Sequence, residues 1–233
     1  MDVITGPGNP WVQEAKRQVF GRVGIDQLAG PSEIFTVADE AGDPSMIAAD
    51  LLAQAEHDVR SRVGLITTSE MLGRAVLGEI DKQLQTLRTR EVAGAAWRDH
   101  GEIAVCDDEK AMIAYSDFIA AEHLQVHTRD SQATGRKLRN YGSLFIGPLA
   151  SVVYSDKCCG TNHTLPTMAG ARHSGGLWVG SYLKVCTHQW LEPKGVAQVA
   201  LHAVRQAGNE GQWGHQAAAE YRLKMLGINE RLP

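Results

Sequence analysis

Residues 29–57 read AGPSEIFTVADEAGDPSMIAADLLAQAEH, and this stretch decides the fold. A turn of small residues, 29–32, leads into the apolar run Ile34, Phe35, Val37 and Ala38, which reads as a buried strand. A helix is expected next. Asp43 is placed to cap it, Pro44 suits its first position, and Met46, Ile47, Ala49, Leu51 and Leu52 supply its apolar positions. Near its end Gln54 and His57 stand three apart, so one helical face offers an amide oxygen and an imidazole nitrogen to a single divalent ion. The same spacing describes a solvated helix end, and spacing alone leaves both readings open.

Working outward, the alternation repeats. Residues 62–68 read as a second strand, 70–88 as a long helix, 102–106 as a third strand and 108–121 as another helix. Residues 124–128 and 143–146 read as two more strands with a short helix between them. This order predicts an α/β fold with a doubly wound, mainly parallel, Rossmann-like sheet over residues 25–150. Ligands are expected beyond the carboxyl ends of its strands. Upstream, residues 1–24 hold a short apolar segment, the turn Gly6-Pro7-Gly8-Asn9-Pro10 and a helical pattern of Trp11, Val12, Ala15, Val19 and Phe20. Such a turn lets backbone approach a ligand, but turns of this composition are common, and no G-x-G-x-x-G accompanies it. Downstream, residues 151–207 read as loops with helices over 177–186 and 194–206. Gly208 and Gly211 then form a hinge before a helix over 213–226, so residues 208–233 make a C-terminal helical arm.

Composition narrows the function classes. The 233 residues are 43% hydrophobic, enough for a real core. With 23 basic and 27 acidic residues the net charge is −4, which gives no basic field for nucleic acid. No signal peptide and no apolar run of membrane-spanning length is present, so the expected location is the cytoplasm, away from membranes. Cys106, Cys158, Cys159 and Cys186 lack C-x-x-C spacing and read as free thiols in a reducing compartment.

Several side chains can carry chemistry. Glu122 and His123 close the fourth helix and can serve as general base and acid near neutral pH. An ordinary helix end with a histidine on its dipole fits the same residues. Asp156 and His163 stand seven apart in a polar stretch without helical or strand period, read as a loop. Glu210 and His215 flank Trp213 near the C-terminus, where a solvated helix start is the ordinary expectation.

Taken together, AGPSE (29–33), AQAEH (53–57), AEHL (121–124), GTNHTLPT (160–167) preceded by Asp156, and the Glu210…His215 pair occur in an order and spacing that resemble the histidinol dehydrogenase family. The resemblance implies a zinc ion held by Gln54, His57, Asp156 and His215, and a catalytic pair, Glu122 and His123, that takes the alcohol proton and activates water. It implies substrate contacts from Ser32, His163 and Glu210, and an NAD contact from Asn9. The implied reaction oxidises a primary alcohol to a carboxylate with two NAD molecules. The implied assembly is a homodimer whose C-terminal arms reach into the partner's site.

Three departures qualify the expectation. The chain corresponds to the second half of the family's length, entering at the GPGN turn, so residues 1–24 read as the remnant of a first nucleotide-binding domain. A catalytically silent, metal-binding remnant is therefore a second expectation. Ala121 stands where the family has proline before the catalytic pair. Lys157-Cys158-Cys159 follows Asp156, and this run with ARHSGGLWVGSYLK (171–184) resembles the branch that includes sulfopropanediol 3-dehydrogenase. Lys157 suits an anionic sulfonate as substrate better than the cationic amine of histidinol.

Overall fold

The computed structural model describes residues 1–6 and 9–228. Pro7 and Gly8 of the expected N-terminal turn lie outside the described residues. Two short strands, β1 (Val3–Ile4) and β2 (Gly24–Ile25), pair in parallel on either side of α1 (Pro10–Val19) in the chain. The buried Lys16 of α1 bonds Asp26 at 2.7 Å and the carbonyl of Gly6 at 2.6 Å, which ties this segment together.

The main sheet begins at β3 (Glu33–Ala38), every residue of which is buried. It is followed by α2 (Pro44–Ala55), β4 (Arg62–Thr67), α3 (Glu70–Leu84), α4 (Arg90–His100) and β5 (Gly101–Val105). The chain then returns to the other side of β3 through α5 (Glu109–Ile119), β6 (His123–His127), α6 (Ser131–Gly135) and β7 (Ser143–Ile146). The strands are all parallel and lie in the order β5-β4-β3-β6-β7, so the sheet is doubly wound outward from β3, as the sequence predicts. The expected capping of α2 is present: Asp43 accepts from the N–H groups of Ser45 and Met46, and Pro44 fills the first position.

Alternation along the strands splits the core into two layers. Ile34 and Ala38 pack with Ile47, Leu51, Val76 and Ile80 against α2, α3 and α4. Phe35, Val37, Leu124 and Val126 pack on the opposite face with Met112 and Ile119 of α5. Where β3 and β4 pair, Gly64 stands opposite Phe35, and a methyl group on Gly64 would run into that ring.

The structure corrects three local readings. The long helix expected over 70–88 ends at Leu84, and a separate α4 follows whose short, polar-rich pattern the periodicity did not separate from a loop. Residues 152–157, read as loop, form α7 (Val152–Lys157), capped by Ser151. Of the helix expected over 177–186, only a 3₁₀ turn at Val179–Tyr182 forms, because the paired glycines before it and the exposed Trp178 and Leu183 give the segment no buried stripe.

The chain divides into two compact units, Met1–Leu183 and Lys184–Pro233. In the second, α8 (Pro193–Asn209) and α9 (Trp213–Met225) pack through Ala200, Val204 and Leu223. Gly211, at φ +70, makes the turn between them. The helix expected over 194–206 therefore pairs with the terminal helix instead of standing with residues 151–207. Among the described residues no helix is long and apolar enough to cross a membrane, and the four cysteines are free.

Two glycine substitutions test this packing in opposite directions. Gly64→Val is expected to cost about 1–3 kcal/mol, because the buried Phe35 ring has no free volume to enter. Gly78→Ala, on an open face of α3 with nothing near the added methyl, is expected to gain about 0.5–1 kcal/mol. Denaturant unfolding of the two variants measures both.

Candidate active site

The site is assembled from the starts of two neighbouring strands. α5 ends at Ile119, and Ala120 closes it in the left-handed region at φ 53, ψ 55. Glu122 therefore lies in the bend after the helix and His123 opens β6, so the pair does not terminate a helix as the sequence reading has it. The parallel register sets Ile34 opposite His123, which brings the backbone N–H and C=O of Glu33 beside the pair Glu122 and His123. The N–H donates to Glu122 Oε2 at 2.8 Å, and the carbonyl lies 2.9 Å from His123 Nδ1. A carbonyl only accepts, so Nδ1 carries a proton and the neutral ring keeps its lone pair on Nε2. That atom is buried and has no hydrogen-bond partner among the described residues.

Electrostatics sharpen the contrast between two histidines of one strand. Burial disfavours the charged form of His123. The hydrogen bond and charge of Glu122, the Glu33 carbonyl and the charge of Asp156 outweigh burial and raise its pKa above the usual 6.5. His127 is also buried, and there burial prevails over the charges of Asp50 and Asp43, so its pKa is lowered. Burial likewise raises the Glu33 carboxyl above the ordinary glutamate value, although the N–H of Met168 at 3.2 Å and Arg62 at 3.9 Å favour its charged form.

A second group of side chains meets the pair. Asp156 sits near the end of α7, with His163 Nδ1 3.1 Å from its Oδ1 and His57 Nε2 3.7 Å from its Oδ2. His123, Asp156 and His163 offer ligand atoms all within 4.8 Å of one another. Gln54 is 2% exposed, and its Oε1 lacks any donor among the described residues, while Asp156 Oδ1 is buried with only the 3.1 Å contact to His163 Nδ1. A buried carboxamide oxygen without a donor is costly, and a cation would satisfy it. Amide, carboxylate and imidazole donors together suit zinc, so the residues present fit the implied metal.

Beside this centre a cleft of about 1150 Å³ runs along the first unit, lined by Asn9, Ser32, His57, Arg60 and Thr167 among others. Asn9 Oδ1 is occupied in capping α1 through the N–H groups of Trp11 and Val12, which leaves its NH₂ group for a ligand. Lys157 is exposed and has no ion-pair partner among the described residues. Glu210 and His215 belong to the second unit: Glu210 is exposed at the end of α8, bonded to Gln206 at 3.0 Å, and His215 is exposed in the first turn of α9.

One expectation reverses. The site lies at the amino ends of the parallel strands, since Ser32 precedes β3 and Glu122 precedes β6, whereas the sequence reading places ligands beyond the carboxyl ends. The residue that sequence reasoning missed is Glu33. Its signal is an acid set directly before the apolar run of AGPSEIF, a position that a strand buries.

Comparison with known proteins gives this arrangement its lineage. Residues 1–223 match the family model described as histidinol dehydrogenase. The chain belongs to the histidinol dehydrogenase family. Among curated family members it is 48% identical over 97% of its length to the "histidinol dehydrogenase homolog" of Shouchella clausii, covering 54% of that protein. It is 44% identical to both the histidinol dehydrogenase of Cereibacter sphaeroides and the sulfopropanediol 3-dehydrogenase of Ruegeria pomeroyi, covering 97% and 95% of this chain and 52% and 51% of theirs. The crystal structure of histidinol dehydrogenase from Elizabethkingia anophelis superposes with a TM-score of 0.88 at 37% identity, covering 97% of this chain and 52% of that one. The chain thus spans about half the length of the family members it matches.

The opposed histidine environments are measurable by NMR with ring-labelled histidine. His123 is expected to titrate above 6.5 and His127 below it, and Glu122→Gln should lower the His123 value by removing the strongest group that raises it. The sign for stability follows: the His123 contribution is complete below the unfolded value near 6.5 and fades as pH rises through the higher folded value.

Proposed function

We propose that this chain acts in a zinc- and NAD-dependent alcohol dehydrogenase. It oxidises a primary alcohol to a carboxylate through a bound aldehyde, on a small polar alcohol such as 2,3-dihydroxypropane-1-sulfonate. The observation that carries this reading is the buried Glu122–His123 pair beside the Asp156–His57 contact and the unpartnered oxygen of Gln54. In balance, alcohol, water and two NAD⁺ give carboxylate, two NADH and three protons.

Gln54, His57 and Asp156, with His215, would hold the zinc, which supplies Lewis-acid polarisation of the substrate oxygen when bound. His123 Nε2, the lone-pair atom of the ring, takes the alcohol proton, and NAD, when bound, would supply the hydride acceptor for each of the two oxidations. The Glu33 carbonyl on Nδ1 holds the ring in the tautomer this requires. Glu122 takes the proton of the water that adds to the aldehyde carbon. Ser32, His163 and Glu210 contact substrate, and Asn9 contacts NAD from the cleft it shares with Ser32 and His57. The working form is a cytoplasmic homodimer in which each chain lends its arm, with Glu210 and His215, to the other's site.

The charge of Lys157, beside Asp156 and without an ion-pair partner among the described residues, supports a sulfonate-bearing alcohol. L-Histidinol is the second reading, favoured by the equal identity to family members bearing either name.

Following reduced NAD by absorbance with each alcohol separates the substrates, and turnover of histidinol alone would remove the sulfonate assignment. Bound zinc without turnover of either alcohol would leave a metal-binding remnant. Glu122→Gln is expected to slow oxidation by about 10²–10⁴-fold while zinc content stays unchanged.

A further inference from the structure

Asp50 lies on α2 four residues before Gln54, so the two share one helical face, and His57 follows in the turn that closes the helix. Its half-buried carboxylate makes no ion pair among the described residues, and each of its oxygens accepts from a different element. Oδ2 takes Gln125 Nε2 at 3.0 Å, and Gln125 stands on β6 two residues after His123, on the same face of the strand. Oδ1 takes Ser151 Oγ at 2.9 Å, and Ser151 is the cap of α7, the helix that carries Asp156. Gln125 is fully buried, and its Oε1 lies 3.3 Å from Thr36 Oγ1, its register partner on β3. One carboxylate thus joins the helix that bears Gln54 and leads into His57, the strand that opens with His123 and the helix that carries Asp156 in its last turn.

We propose that Asp50 is a positioning residue for the metal centre, setting α2, β6 and α7 in the mutual register that lets Gln54, His57 and Asp156 converge. This rests on the ligand assignment given under Proposed function. Two donors on two elements require an acceptor with two free oxygens, which no neutral aliphatic side chain offers. Salt would screen a charge pair, but Asp50 acts through neutral donors inside the fold. Gln54 presents a buried oxygen without a donor among the described residues, and the buried Asp156 Oδ1 has only its contact with His163, so both need their backbones held before an ion arrives.

The test measures zinc affinity of the full 233-residue chain by competition with a chromophoric chelator, together with the visible absorption bands of the cobalt-loaded protein. Asp50→Ala is expected to weaken zinc by about 10–100-fold and to change the cobalt spectrum. Asp50→Asn should recover most of the affinity: the new amide oxygen still accepts from Ser151, and the Gln125 amide can turn over so that its oxygen faces the new NH₂. Val76→Ala, which opens a cavity in the same core but on α3, outside the three elements that Asp50 joins, controls for lost stability and should leave both readouts unchanged. Affinity within twofold of wild type in Asp50→Ala, or an equal loss in Val76→Ala, would overturn the proposal. His57→Ala separates the two layers of the argument. Its loss of zinc alongside an unaffected Asp50→Ala refutes only the role of Asp50, whereas unchanged zinc in His57→Ala refutes the ligand assignment and this proposal with it.

Discussion

The backbone of Glu33 is the constraint on which the centre depends. Glu33 is the first residue of β3, and its N–H and C=O turn to Glu122 and to His123 Nδ1. The two backbone groups of one residue, in successive peptide planes, thereby fix a carboxylate and an imidazole tautomer, and neither can change protonation state or rotamer as a side chain can. The arrangement exists only in one strand register. A slip of β6 by a single residue would send His123 to the opposite face and remove Nδ1 from that carbonyl. The apolar core therefore acts on chemistry indirectly: Ile34 and Phe35 on one strand and Leu124 on the other lock the pairing that the catalytic geometry needs.

The placement of the centre at the amino ends of the strands has an electrostatic logic. In a parallel sheet the connecting helices begin beyond the carboxyl ends of the strands and finish at the amino ends. Helix N-termini favour anions and C-termini favour cations. Gln54 and Asp156 lie in the last turns of α2 and α7, and His57 follows α2 directly. All three thus stand at helix ends, where the dipoles add negative potential. An edge with that polarity suits a divalent cation and opposes a phosphate group, and this is why the carboxyl-edge rule for nucleotide sites fails here as a guide.

The sheet was legible in the sequence because each buried strand is a short apolar run bounded by polar turns, and the cap at Asp43–Pro44 is a purely local signal. The site was legible in pieces. Gln54 and His57 share a helical face and could be paired by spacing, and Glu122 stands next to His123. Nothing local joins these pairs to Asp156, which lies about a hundred residues from His57; family resemblance supplied that connection, and the structure places His57 3.7 Å from Asp156. α7 was hidden because six residues are too few to show a helical period. Glu33 was hidden for a different reason: its role is carried by backbone atoms, to which the identity of the side chain gives no clue.

The Ala121 departure illustrates how a family signature can change without altering the geometry it marks. The Ala121 N–H donates to nothing among the described residues, so a proline there would forfeit no hydrogen bond. The carbonyl of Ala121 accepts from Gly142 at 3.0 Å, and that of Glu122 from Ser143 at 2.8 Å. Those two bonds lead β6 into its pairing with β7, and either residue type keeps them. The difference falls on Ala120, whose left-handed backbone at φ 53 closes α5. A residue before proline is confined largely to extended backbone, and alanine at 121 lifts that restriction. The substitution acts on the way α5 ends, while the direction in which Glu122 and His123 leave it is set by their bonds to Glu33 and by the ladder to β7.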